Sequence, residues 1–321
     1  MVAATMPTLF SFPEYSHVNR YLCDLPALAA GRFAIERYLN QELRAVVHST
    51  VSGEHCFILG SIAPPDSRML ALLLLAHTLR KEGARRITGI LPYLAYARED
   101  KVKAGESLAT AWVGELLRAS AFERIWAVDL HSEHDKQLYP LPLESLSPAA
   151  TFAACLKQHG LTDASFVAPD EGAISRCEAL TSAVGKTRDD IVYFQKRRTA
   201  SGIVHHEPVG RVRRRAVVVD DVLDTGATLV SACEKLLAAG AQELYLCATH
   251  GLFTQQGWES LWSLGVKRIF CTDTIAACAH SKDSRIITLP IGPLLRTKLA
   301  STLASGAELA TGQAAGGVWS V

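Results

Sequence analysis

The run Val217-Val218-Val219-Asp220-Asp221-Val222-Leu223-Asp224-Thr225-Gly226-Ala227-Thr228-Leu229 sets an apolar strand, two adjacent acids and a small-residue loop directly ahead of a helix-forming segment. Each part suits a phosphorylated sugar. The first turn of a helix has backbone N–H groups with no intrahelical acceptor and the positive end of the helix dipole, so residues 225–228 can seat a phosphate monoester. Gly226 lets the backbone approach that phosphate closely, and the hydroxyls of Thr225 and Thr228 add donors. Asp220 and Asp221 are expected to leave the sheet as carboxylates that only accept, which suits a sugar diol whose two hydroxyls donate. Phosphate at one end and diol at the other describe ribose 5-phosphate, with Asp220, Asp221, Asp224, Thr225, Gly226, Ala227 and Thr228 as its contacts.

Elements of an α/β protein must position that loop. Short apolar or β-branched runs alternate with longer helical stretches, the pattern of βαβ units around a mainly parallel sheet. In the first half, 55–60 reads as a strand, 66–81 as a helix, 86–91 as a strand, 107–119 as a helix and 124–130 as a strand. The second half repeats the rhythm with strands at 165–168, 215–220 and 243–249 and helices at 172–184 and 227–238. Ser147 and Pro148 interrupt the pattern, which divides the chain into a domain at 1–148, a domain at 149–305 and a Gly- and Ala-rich tail at 306–321. Loops beyond the carboxyl ends of parallel strands are where such sheets bind ligands, and the polar residues cluster there.

Composition narrows the partners. Across 321 residues the charges nearly cancel to +1, and the basic residues form short clusters, not a stripe, so nucleic acid is not an expected partner. The eight cysteines show no C-x-x-C pair and read as reduced, packed thiols. No apolar run approaches the length of a membrane span, and no secretory signal is visible at the N-terminus. A soluble cytoplasmic protein is expected, with no membrane partner. A P-loop is excluded, because Leu180 stands where its first glycine would precede Gly185-Lys186-Thr187.

The run at 217–229 resembles the PRPP-binding motif shared by type I phosphoribosyltransferases and ribose-phosphate pyrophosphokinases, and by itself leaves both open. Further segments resemble the pyrophosphokinase (PRPP synthetase) family alone: 92–101 (Pro92-Tyr93-Leu94-Ala95-Tyr96-Ala97-Arg98-Glu99-Asp100-Lys101), Asp129-Leu130-His131-Ser132, Asn40-Gln41-Glu42 behind Arg37-Tyr38, Pro169-Asp170-Glu171-Gly172 and Thr249-His250-Gly251-Leu252-Phe253. The resemblance implies two tandem type I phosphoribosyltransferase-like domains, each a mainly parallel sheet flanked by helices. It implies ATP binding through Tyr38, Asn40, Glu42, Arg98, Glu99 and His131, with Mg²⁺ near His131, Asp129 and Asp170. It also implies a homo-oligomer, dimer to hexamer, in which the Asn40 loop reaches a neighbouring subunit's adenine.

The implied reaction moves the β,γ-pyrophosphoryl group of Mg-ATP to the C1 hydroxyl of ribose 5-phosphate, giving PRPP and AMP. Phosphoryl transfer is catalysed largely by positioning and charge stabilisation, and the K-x-R pair Lys196 and Arg198 is the implied catalytic pair. Two other readings fit part of the pattern: a phosphoribosyltransferase, which needs neither the Arg98 nor the His131 segment, and a non-catalytic relative serving as a regulator or scaffold. The stretch 133–144 departs from the family pattern, with Pro140 in place of an acid and Glu144 in place of an aspartate, so regulation by phosphate or ADP is expected to differ.

Overall fold

The computed structural model describes residues 6–305 apart from 195, 200–201, 206 and 277–282, and only the backbone of 196–199 and 202–205. The chain forms two compact units, one reaching Ser145 and including the stretch from Gly292 onward, the other Leu146–Ile291. The C-terminal helix Gly292–Ser305 thus returns to the first unit, whereas the sequence reading carried the second domain on to 305. Its side chains explain the return. Leu295 and Leu299 are buried, Arg296 pairs with Asp24, and the Lys298 Nζ lies 2.8 Å from Glu144 and 4.9 Å from the Trp126 ring centroid.

In the first unit the strands are β1 (Thr8–Ser11), β2 (Ala29–Ala30), β3 (Phe33–Arg37), β4 (Leu43–Val47), β5 (His55–Leu59), β6 (Arg86–Ile90), β7 (Arg124–Val128) and β8 (Leu143–Leu146). Six form a sheet in the order β2-β1-β5-β6-β7-β8, and β3 and β4 stand apart as an antiparallel hairpin. The second unit has β9 (Ser165–Ala168), β10 (Ile191–Tyr193), β11 (Lys196–Thr199), β12 (Gly202–His205), β13 (Arg215–Leu223), β14 (Glu243–Gly251), β15 (Val266–Thr272) and β16 (Ile286–Leu289). Its sheet runs β10-β9-β13-β14-β15-β16, all pairs parallel, with β11 and β12 as a separate antiparallel hairpin. Both units are therefore α/β domains on one plan, as the resemblance to type I phosphoribosyltransferases implies: strand order 2-1-3-4-5-6, with a hairpin inserted between the second and third sheet strands.

β13 shows why the apolar run at 216–219 is unbroken. Ala216 and Val218 pack with Leu229, Ala232, Cys233 and Leu236 of the helix Ala227–Ala238, while Val217 and Val219 pack on the other face with Phe152, Leu156, Cys177 and Leu180. A parallel strand covered by helices on both faces must be apolar at every position, so no alternation remains. Seven cysteines among the described residues are free, six of them buried. No helix among the described residues is long and apolar enough to cross a membrane.

Candidate active site

The acids do not leave the sheet. β13 continues through Asp220 and Asp221 to Leu223, because β14 also runs on and supplies ladder partners, Asp220↔Ala248, Val222↔His250 and Leu223↔Gly251. Asp221 is buried, and its backbone N–H donates to Asp220 Oδ1 at 2.9 Å. Burial and the adjacent Asp221 carboxylate push Asp220 well above the usual carboxylate range, and Arg176 opposes the shift. Arg176 Nη1 lies 3.9 Å from Asp221 Oδ1.

Gly226, with φ +83°, ends the loop and caps the helix Ala227–Ala238, and its carbonyl accepts from Val230 N–H at 2.8 Å. Only glycine fits there, because a Cβ would lie 2.8 Å from Trp258 Cα in a backbone region that side chains disfavour. Thr225 and Ala227 are exposed, Asp224 and Thr228 half-buried, and the helix has no acid in its first turn. This end of the helix can therefore accept an anion.

A brace holds the loop from below. Leu252 and Phe253 N–H groups donate to Leu223 O at 2.9 and 3.1 Å, and the Thr254 hydroxyl donates to Asp224 Oδ1. Gly257 lies so close that a Cβ would come within 2.9 Å of Thr225 O. Arg176, Thr254 and Trp258 were absent from the sequence reading; only the Thr249–Phe253 segment pointed near them. Asp170, at the end of β9, caps the 3-10 turn Glu171–Ala173 by accepting from Ala173 N–H at 3.1 Å, and its charge adds to the upward shift of Asp220.

The first unit presents its own polar loops beyond adjacent parallel strands. After β6, the buried Tyr93, Leu94, Ala95, Ala97 and Asp100 anchor a loop on which Arg98 and Glu99 are exposed. Tyr96, with φ +69°, donates its hydroxyl to Asp66 Oδ1 at 2.9 Å, and Ser107 Oγ donates to Glu99 Oε2 at 2.7 Å. After β7, Asp129 adopts φ +49°, Leu130 is buried and His131 is exposed.

Behind them, Asp135 is fully buried and accepts from Ser132 N–H at 3.1 Å; burial raises its pKa to about 6. At the tip between β3 and β4, Tyr38, Asn40 and Glu42 are exposed; Asn40 Oδ1 accepts from Glu42 N–H at 3.2 Å, and Arg44 lies over the Tyr38 ring. Lys196 and Arg198 belong to β11 by backbone, paired with His205 and Ile203, and their side chains lie outside those described. Among the described residues no three His, Cys, Asp or Glu side chains are grouped to hold a metal by themselves.

Two α/β units share one plan, and the third sheet strand of the second carries paired acids ahead of a glycine-capped helix. Residues 8–120 match the N-terminal domain of ribose phosphate pyrophosphokinase, and residues 186–300 match the phosphoribosyl synthetase-associated domain. The ribose-phosphate pyrophosphokinase of Gloeobacter violaceus is 30% identical over 290 residues, 88% of this chain and 85% of that protein. That of Campylobacter jejuni is 30% identical over 276 residues, 85% of this chain and 87% of its own length. The crystal structure of phosphoribosylpyrophosphate synthetase from Mycobacterium smegmatis shares the fold, with a TM-score of 0.81 at 24% identity over 95% of this chain and 100% of that one. The chain belongs to the ribose-phosphate pyrophosphokinase family.

Proposed function

We propose that this chain is a ribose-phosphate diphosphokinase that transfers the β,γ-pyrophosphoryl group of Mg-ATP to ribose 5-phosphate, giving PRPP and AMP. The observation that carries the reading is β13 itself, which delivers two carboxylates into the sheet's ligand-binding edge and then a glycine-capped helix N-terminus. The side-chain oxygens of Asp220 and Asp221 accept from the ribose diol, while Asp224, Thr225, Gly226, Ala227 and Thr228 surround the 5-phosphate. Tyr38, Asn40, Glu42, Arg98, Glu99 and His131 bind the nucleotide, Arg98 as a cation held out by a buried anchor.

The C1 hydroxyl oxygen bonds to the β-phosphorus as the bond from that phosphorus to the AMP oxygen breaks, and the hydroxyl proton is lost. Negative charge grows on the phosphoryl oxygens. Lys196 and Arg198 are the cations assigned to that charge, since fixed positive groups act most strongly in the transition state. Asp129 and His131 of the first unit, and Asp170 of the second, are the residues assigned to Mg²⁺, an ion usually held by one or two carboxylates together with substrate phosphates. When bound, Mg²⁺ neutralises phosphate charge and fixes phosphate geometry.

The exposed tip at Tyr38–Glu42 supports a homo-oligomer in which it completes a neighbour's adenine site, and the free, mostly buried thiols support a cytoplasmic setting. The test incubates the pure protein with ATP, Mg²⁺ and ribose 5-phosphate and follows AMP and PRPP by chromatography. Equal formation of the two products is expected; absence of both removes the reading. Sedimentation at assay concentration should show an assembly, and an active monomer would defeat the oligomer.

A further inference from the structure

Side chains alternate faces along a strand, so Asp221 continues the face of Val217 and Val219. That face is covered by the helix Ile174–Ala183, whose Cys177 and Leu180 pack against it. Arg176 lies on the same helix, and its guanidinium reaches the Asp221 carboxylate at 3.9 Å, with the two side chains only 11% and 7% exposed. A cation with so little access to water is retained only where opposite charge compensates it, and the Asp221 carboxylate supplies that charge.

The pair is built from rigid parts. Asp221 lies near the carboxyl end of β13, between the registered Asp220 and Val222, and Arg176 is in the first turn of a packed helix. A carboxylate can turn about its terminal torsion, which is broad, so its orientation is decided by what faces it. Arg176 on one side and the hydrogen-bonded Asp220 side chain on the other therefore decide which way the Asp221 carboxylate faces.

We propose that Arg176 is a positioning residue for the sugar, holding the Asp221 carboxylate in the orientation that accepts from a ribose hydroxyl. This rests on the reading of residues 220–228 as the ribose 5-phosphate site. Arg176 acts through Asp221 and adds nothing to binding once that carboxylate is gone.

Calorimetric affinity for ribose 5-phosphate is measured on the full-length wild type, Arg176→Gln, Asp221→Asn and the double variant, with affinity for a non-hydrolysable ATP analogue on each. Arg176→Gln is expected to weaken ribose 5-phosphate about tenfold, in the range of a lost charge-assisted contact, and to leave the analogue unchanged. Asp221→Asn should weaken it by about tenfold or more, with the double variant no weaker than Asp221→Asn alone, because residues acting as a unit are non-additive. Arg176→Lys should recover part of the loss, keeping the charge without the planar fork.

If Arg176→Gln does not fold, the comparison of Asp221→Asn with the double variant decides, since the double variant buries no unpaired member of the couple. Multiplying losses, a double variant weaker than Asp221→Asn, wild-type affinity in Arg176→Gln, or equal loss of the ATP analogue would overturn the proposal. A wild type that fails to bind ribose 5-phosphate would remove the functional reading itself, a distinct result.

Discussion

The two units share strand order and hairpin insertion, yet the loop after the third sheet strand meets its helix differently in each. In the second unit, β13 runs through two acids to Leu223, and the loop ends at Gly226, which caps the helix Ala227–Ala238 with a left-handed backbone. In the first unit, β5 leads into Gly60-Ser61-Ile62-Ala63-Pro64-Pro65-Asp66, and Asp66 stands at the start of the helix Ser67–Lys81 with its carboxylate engaged by the Tyr96 hydroxyl. Proline has no N–H to offer, and a carboxylate at the N-cap itself, where the second unit has glycine, repels an anion on the helix end. One backbone plan thus leads to the proposed sugar-phosphate loop in one copy and to a proline-bearing turn with an acid at the helix start in the other, and a few residues make the difference.

The hairpins provide the sharpest way to break that comparison. Lys196→Ala, in the hairpin of the second unit, should lower turnover by about 10²–10⁴-fold while leaving ribose 5-phosphate affinity nearly intact, as expected of a charge used mainly in the transition state. Asn40→Ala, in the hairpin of the first unit, should chiefly raise KM for ATP. Steady-state kinetics beside calorimetry reads both, and equal loss of binding and turnover in Lys196→Ala would contradict its role.

Next in size is the loop itself. Gly226→Ala places a methyl against the Trp258 backbone at a left-handed φ, and should weaken ribose 5-phosphate by about 100-fold or more, because strain and displacement of the loop add. Asp66→Ala at the matching helix start should leave that affinity unchanged. Comparable losses from the two variants would erase the distinction between the units. Asp221→Ala should cost about 10–100-fold in the same titration, the loss of a hydrogen bond to a charged acceptor; unchanged affinity would remove Asp221 from the sugar site.

The smallest effect concerns stability in the first unit. The folded-state pKa of Asp135 lies near 6, against an ordinary 3.8, so the native protein binds this proton more readily than the unfolded chain between those values. Stability is therefore lost as pH rises from about 4 through 6, when a buried carboxylate must ionise. Asp135→Asn keeps an acceptor for Ser132 N–H and should stabilise by about 1–2 kcal/mol at pH 8, discounted for solvent screening, with the gain vanishing near pH 4. Thermal unfolding at the two pH values checks this, and a pH-independent difference would reject it.

What lay in contiguous residues was legible without a structure. The strand and helix around 217–229 could be read because a doubly covered parallel strand is uniformly apolar and a helix start needs small or hydroxyl residues, both local requirements. The strand at Ser165–Ala168 and the helix at Ala227–Ala238 fall where the periodicity put them. Tertiary structure decided the rest. Whether β13 stops at the acids depends on how far β14 runs beside it, and the pairing of Arg176 with Asp221 depends on which helix covers which face.

The return of Gly292–Ser305 to the first unit is of the same kind, since a helix carries no mark of the sheet it will cover until Trp126, Glu144 and Asp24 are in place to receive it. Sequence determined the parts whose physics is settled within a turn or a strand. Contacts between residues far apart in the chain depend on the packing of whole elements, and no local pattern encodes them.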